Sequence, residues 1–311
     1  MTLADLFIKI KNRIIWQYYL TKDYFLSKIL LTPKILSTEE TIKLVRENKM
    51  SITRFGDGEI GLMYGRDLNF QEYNPTLAAK MEKAIRSNNS KLLICIPDIF
   101  TKSSRKSLSL CKVDDNFWKA HLLRYRWQWV KRIKRSRLYG NSLLSRIYSV
   151  NWDIDKGKGT FSLLEDLWRD RDIVILEGAY SRLGVGNNCF SAAKSIRRIL
   201  APATNSFTRY SEVFNSAISI GGNPLFILAL GPTATAMASE LADAGAQALD
   251  LGHLDVEYEW MRSGCTSKEP VRGKYVNEAY LSGKSASAVS EELSVSELQL
   301  YKSQIIADFS K

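Results

Sequence analysis

Apolar residues along this chain fall into two kinds of pattern. At the start they recur at helical spacing. Leu3, Phe7, Ile10, Ile14 and Tyr18 follow one another at steps of four, three, four and four, which lays them along one stripe of a helix. Farther on they gather into short runs: 91–97 (KLLICIP), 172–177 (DIVILE), 225–230 (LFILAL) and 246–251. Such runs, closed by proline or glycine, read as strands buried on both faces. A further strand is expected at 50–55. Helices are expected from the capped start Ser37-Thr38-Glu39-Glu40 to residue 48, at 75–87, from about 189 to 200, at 211–219 and at 234–244. The last of these is opened by Gly231-Pro232-Thr233, with proline in the first turn. Strand, helix and strand within about 30 residues is the unit of a parallel sheet. The expected fold is therefore α/β, a Rossmann-like three-layer sandwich with a mostly parallel sheet, plus N-terminal and C-terminal helices. It divides into a basic amphipathic helical segment (1–36), a main domain (37–280) and a helical tail (281–311) with Ser294 as a cap.

Composition changes this picture in one respect. Hydrophobic content of 45% and charged content of 25% are ordinary for a globular chain of 311 residues, but the net charge of +11 is not. Between Lys102 and Arg146 stand 13 Lys and Arg against two acids, Asp114 and Asp115, so this stretch carries the whole surplus. Such a surface attracts phosphates, anionic lipid or nucleic acid. Within it Trp118, Leu122, Tyr125, Trp129 and Ile133 keep helical spacing, which reads as core in preference to base stacking. The basic N-terminal stripe has two readings: a helix lying on an anionic membrane, or, preferred, a helix packed on the main domain. The four cysteines have neither zinc nor redox-motif spacing and read as reduced thiols of a cytoplasmic protein. Two histidines exclude a histidine-rich metal site. The uncharged run 213–239 is broken by glycine and proline, so it is not a membrane span.

Three stretches carry candidate chemistry, each after an expected strand, where parallel sheets bind ligands. Arg54-Phe55-Gly56-Asp57-Gly58-Glu59 offers two carboxylates to a hard divalent cation such as Mg²⁺ or Mn²⁺. Its glycines would permit unusual backbone angles and close approach of a phosphate; the same hexapeptide is also an ordinary turn. The loop 177–188 brings Gly184, Gly186, Asn187 and Arg182 to an expected helix N-terminus suited to anions, with Lys194 and Arg197 beyond; otherwise it is a flexible connection. In 250–260, an extended backbone would point His253, Asp255, Glu257 and Glu259 to one side, a grouping able to do general-base work or add metal ligands.

The pieces RFGDGE (54–59), YGNSLLSR (139–146), SRLGVGNN (181–188), LALGPTATAMA (228–238), ALDLGHLDVEYEW (248–260) and GKYVNEA (273–279) together resemble the GT-D-type glycosyltransferases, once catalogued as a domain of unknown function. The resemblance implies metal-dependent transfer of a hexose, glucose or a relative, from a UDP-sugar to a saccharide acceptor in cell-surface glycan or glycoprotein synthesis. Asp57 and Glu59 would hold Mn²⁺ or Mg²⁺ and, through it, the donor diphosphate. One of His253, Asp255, Glu257 and Glu259 would take the acceptor proton. Donor contacts would come from Arg54, Gly56, Arg182, Gly184, Gly186, Asn187, Lys194, Thr233 and Lys274. Asn188 departs from the aspartate usual in the family at that place. The acceptor is expected to be a saccharide, lipid-linked or free, and the enzyme cytoplasmic, with peripheral contact at the inner face of an anionic membrane. No nucleic acid is expected; the alternative is a nucleic-acid-binding protein that uses residues 102–146.

Overall fold

The computed structural model describes residues 3–29, 33–100, 115–276 and 293–311. The short apolar runs form strands of one parallel sheet: β1 (Lys34–Ile35), β2 (Ser51–Arg54), β3 (Leu92–Ile96), β4 (Leu138–Asn141), β5 (Asp172–Gly178), β6 (Ser195–Ala201), β7 (Leu225–Ala229), β8 (Gln247–Asp250) and β9 (Ile305–Asp308). Their spatial order is β1-β4-β3-β2-β8-β7-β5-β6-β9, and every pairing is parallel. The helices, in chain order, are α1 (Leu3–Ile29), α2 (Thr38–Asn48), α3 (Asp57–Met63), α4 (Pro75–Arg86), α5 (Asp115–Val130), α6 (Ile154–Glu165), α7 (Tyr210–Ile218), α8 (Pro232–Asp243), α9 (Leu254–Ser263) and α10 (Val295–Gln304).

Alternation within each strand divides the interior into two cores. Ile94, Ile96, Val174, Leu176, Phe226 and Leu228 face a layer built from α3, α4, α5, α7 and α8. Their neighbours Leu93, Cys95, Ile173, Ile175, Leu225 and Ile227 face α2, α6 and α9. Because both sheet faces are covered, the strands are apolar at successive positions, and this is why they read as unbroken runs. Ser37 and Glu40 cap α2 reciprocally, and Ser294 and Glu297 do the same for α10, as their spacing implies.

Three expectations are corrected. The segment expected as a helix from about 189 to 200 contains β6, which pairs with β5 along its whole length. Arg198, in the middle of that strand, is buried and neutralised by Glu177, also buried. The tail is not wholly helical: after α10 it adds β9 to the outer edge of β6, so it belongs to the same sheet. Finally, α1 does pack on the main domain, as preferred, but not through the expected stripe. Phe7, Ile10, Ile14 and Tyr18 are 71%, 49%, 64% and 60% exposed, and α1 meets the domain through α5. Among the described cysteines Cys95, Cys189 and Cys265 are free thiols; Cys111 lies outside the described residues.

Candidate active site

Strand order places a topological switch between β2 and β8. From β2 the chain moves outward through β3 and β4, whereas β8 is reached from the opposite half of the sheet. A crevice opens outside the carboxyl ends at such a point. Its floor is a closed network joining Arg54, the last residue of β2, to Asp250, the last of β8. Arg54 Nη2 lies 2.8 Å from Asp250 Oδ1, Nε donates to the Asp250 carbonyl at 2.6 Å, and Nη1 donates to Ser145 Oγ at 2.6 Å. The Thr235 hydroxyl, on α8, donates to the Arg54 carbonyl at 2.9 Å. Arg54 is thus not spread toward a donor; its guanidinium ties β2, β8 and the turn after β4 together. Asp250 opens the acidic stretch marked in the sequence, but its link to Arg54, Ser145 and Thr235 carries no local signal, because their meeting depends on which strands are neighbours.

Asp57-Gly58-Glu59 is the first turn of α3. Neither Gly56 nor Gly58 has positive φ, so the backbone freedom expected of them is not used. Glycine at 56 matters for space: a Cβ there would stand 3.2 Å from Glu59 Oε2, the atom that accepts the Gly56 N–H at 2.7 Å. Asp57 is 40% exposed, its Oδ2 3.9 Å from Arg66 Nη2. Glu59 is half-buried, and its carboxyl is pushed up to about 7, chiefly by desolvation, with Asp250 and Asp57 adding like charge. Asp250 is neutralised by Arg54, and Asp57 and Glu59 stand as two hard oxygen donors at the mouth of the crevice. Among the described residues no group of three or more His, Cys, Asp or Glu is placed to hold a metal ion. Two carboxylates completed by water and phosphate oxygens fit Mg²⁺ or Mn²⁺, which bind with nucleotide phosphates in that way.

The acidic segment after β8 is not extended. It forms α9, with His253 at the N-cap and Leu254, Trp260 and Met261 packed in the core. At 3.6 residues per turn the four candidates separate. Glu257 is buried; its carboxylate accepts the N–H groups of Tyr148 at 3.0 Å and Ser149 at 2.7 Å, and holds the segment after β4. Asp255 is buried too. It accepts the Gly184 N–H and Asn187 Nδ2, each at 2.8 Å, and lies 2.6 Å from Lys274 Nζ, itself 1% exposed. Glu259, one turn on, accepts from Asn187 Nδ2 at 2.6 Å and keeps 21% of its side chain exposed. His253 is half-buried. Asp255, Glu257 and Lys274 are therefore internal supports, while His253 and Glu259 retain surface.

The loop after β5 has no helix behind it, so the expected anion site at a helix N-terminus is absent there. Its shape comes from left-handed residues at Arg182, Gly184 and Gly186. A Cβ at Gly184 (φ +73°) would meet the Phe190 ring at 2.7 Å, so only glycine fits. Arg182 donates to the Gly273 carbonyl at 2.8 Å and lies beside the rings of Tyr180 and Tyr301. Lys194 does not join the site. It precedes β6 at the amino end of the sheet, where it is exposed and pairs with Asp172 at 3.7 Å. Thr233 is buried, with its hydroxyl turned to Gln71.

Where it is described, the basic segment is split: Arg124, Lys131, Lys134 and Arg135 are exposed on the surface, and other cations turn inward. Arg126 and Arg132 are buried, and Arg132 pairs with Glu82 at 2.6 Å. Trp118, Leu122 and Trp129 are core, as their spacing implied. Residues 102–114 of that segment lie outside the described residues.

A family model described as glycosyltransferase GT-D fold matches residues 52–279. A probable glycosyl transferase, Gly, of Streptococcus gordonii is 35% identical over 278 residues, which are 89% of this chain and 39% of that protein. Glycosyltransferase GlyD of Streptococcus pneumoniae serotype 4 is 33% identical over 292 residues, 94% of this chain and 34% of that protein. The chain thus spans between a third and two-fifths of the length of these relatives. A solved structure described as the highly conserved domain of unknown function 1792 with a distinct glycosyltransferase fold superposes with a TM-score of 0.82 at 35% identity, covering 92% of this chain and 99% of that one. Another, a glycosyltransferase (DUF1792) from Streptococcus sanguinis, superposes with a TM-score of 0.80 at 32% identity, covering 89% and 100%.

Proposed function

Since the chain belongs to the glycosyltransferases of GT-D fold, we propose that it moves a hexose, glucose or a close relative, from a UDP-sugar to a saccharide acceptor in the synthesis of a cell-surface glycan or glycoprotein. The observation that carries this reading is the pair Asp57 and Glu59 in the first turn of α3, two hard oxygen donors beside the Arg54–Asp250 floor at the switch point. Mn²⁺ or Mg²⁺ bound there would supply Lewis-acid stabilisation of the leaving diphosphate. The chain's own residues do the rest. Asp57 and Glu59 would hold the ion, and with it the diphosphate. The Arg54–Asp250 pair keeps β2 and β8 in register beneath it. Asp255, backed by Lys274, holds the Gly184 N–H and Asn187 and so fixes the loop that lines the donor side.

Acceptor activation needs a group that reaches the attacking hydroxyl. Of the four residues in the acidic segment, His253 and Glu259 retain exposed surface, and the acceptor proton passes to one of them. Asp255 and Glu257 serve as positioning residues. Transfer from labelled UDP-hexoses, with Mn²⁺ or Mg²⁺ and with chelator, tests the reading. Loss of transfer in Asp57→Ala and Glu59→Ala is expected, and full activity of either variant in chelator would contradict it.

A further inference from the structure

Helix α1 leaves its apolar stripe open to solvent. Phe7, Ile14, Tyr18 and Phe25 are 71%, 64%, 60% and 58% exposed. At 100° per residue they fall within roughly 40° of one another, along about 27 Å of helix. Leu6, Ile15 and Tyr24, each at least 40% exposed, widen the stripe on both sides. Lys11 and Lys22 border one side and Arg13 the other, with Lys22 Nζ 5.8 Å from the centroid of the Tyr18 ring. Residues 3–29 hold five Lys and Arg against two acids. No described helix is long and apolar enough to cross a membrane.

A second copy of the chain would bring like charges together along this face, whereas an anionic surface matches them. We propose that α1 lies in the interface of an anionic lipid bilayer, with Phe7, Ile14 and Phe25 at the acyl boundary, Tyr18 and Tyr24 at headgroup depth, and Lys11, Arg13 and Lys22 on lipid phosphates. The placement of α1 bears on the crevice. The helix packs on α5, and α5 packs on α3, whose first residue is Asp57. Resting on the sugar-transfer reading, the acceptor is then a saccharide carried on a lipid.

The test is cosedimentation of the full chain with phosphatidylcholine vesicles, with and without phosphatidylglycerol, for the wild type and for the triple variant Phe7→Ser, Ile14→Ser, Phe25→Ser. The wild type should bind the anionic vesicles, with binding falling at least about tenfold on neutral vesicles or in high salt. The triple variant should lose at least about tenfold on the anionic vesicles, with its melting temperature and its acceptor-free hydrolysis of UDP-sugar unchanged. Three results overturn the proposal: no binding of the wild type to anionic vesicles, equal binding of the triple variant, or a wild-type dimer that the triple variant dissociates. Lipid binding is read without any sugar. Failure of the sugar-transfer reading would therefore leave it intact, and loss of lipid binding would leave that reading standing.

Discussion

Replacing Lys274 by methionine removes the ammonium that faces Asp255 and Glu259. Lys274 Nζ is 2.6 Å from Asp255 Oδ2 and 3.8 Å from Glu259 Oε1, and the Lys274 and Asp255 side chains are each 1% exposed. Methionine fills a similar volume, so the change is electrostatic rather than a cavity. Breaking a buried pair from one side costs about 3–5 kcal/mol, because the partner charge stays buried. For a domain of this size that lowers the melting temperature by on the order of 10 °C. Asp255 keeps two hydrogen bonds, from the Gly184 N–H and Asn187, which puts the expected loss at the lower end. The double variant Lys274→Met, Asp255→Asn removes the orphaned charge while leaving an oxygen for Gly184. It should recover about 1–3 kcal/mol of that loss, a coupling typical of residues in contact. Urea unfolding at neutral pH measures all three proteins. A Lys274→Met variant within about 1 kcal/mol of wild type, or a double variant no more stable than the single, would refute the assignment of this pair as the tie between α9 and the glycine loop.

Other residues give further expectations. His121 is buried, accepts the Trp129 indole N–H through Nε2 at 2.9 Å, and is held neutral by burial to about 4. Its folded value lies below the unfolded one near 6.5, so its contribution is full above 6.5 and is lost as pH falls from there to about 4, by roughly 3 kcal/mol in total. Urea midpoints across that window should fall less steeply in His121→Phe, and parallel slopes would sink the idea. Glu297 titrates down at about 2, first because of its hydrogen bond from Arg272. It stabilises α10 above about 4.5, and that support is lost as pH drops toward 2. Hydrogen exchange of α10 should rise over this range in the wild type and show no such rise in Glu297→Gln. Glu257→Ala strands the buried N–H groups of Tyr148 and Ser149 and should cost about 3 kcal/mol, against about 1 kcal/mol for Glu257→Gln, which keeps an acceptor. Thermal melts of the two variants check the difference, and equal losses would contradict it.

Much of the fold was legible because the strands β3, β5, β7 and β8 are apolar on both faces and α8 begins with glycine and proline. Where the reading failed, tertiary contacts outvoted local pattern. In 192–200 the apolar residues Ala192, Ile196, Ile199 and Leu200 suit a helix, yet the stretch pairs with β5, and Glu177 from that strand makes a buried Arg198 tolerable. In 253–259 the alternation of His and acids suits a strand face, yet Leu254, Trp260 and Met261 need the core, and only a helix delivers them together. That turn of the backbone divides the four candidates into two supports and two groups with surface. The two-residue β1 and the edge strand β9 carry too few side chains to show a period. Of the site, the Asp57-Gly58-Glu59 stretch could be marked from sequence alone. The Arg54–Asp250 floor could not, since its partners are 196 residues apart and meet only through the strand order.

The central claim is that Asp57 and Glu59 hold a divalent cation which in turn holds the donor diphosphate. Calorimetric titration of UDP into the protein, with Mn²⁺ and with chelator, tests it most directly, for the wild type and for Asp57→Asn. Wild type should bind UDP at least about tenfold more tightly with Mn²⁺ than with chelator, a difference of about 1.4 kcal/mol or more, and Asp57→Asn should erase that difference while its fold and melting temperature are kept. A wild type that binds UDP equally well in chelator, or an Asp57→Asn variant with the full Mn²⁺ effect, would contradict the account.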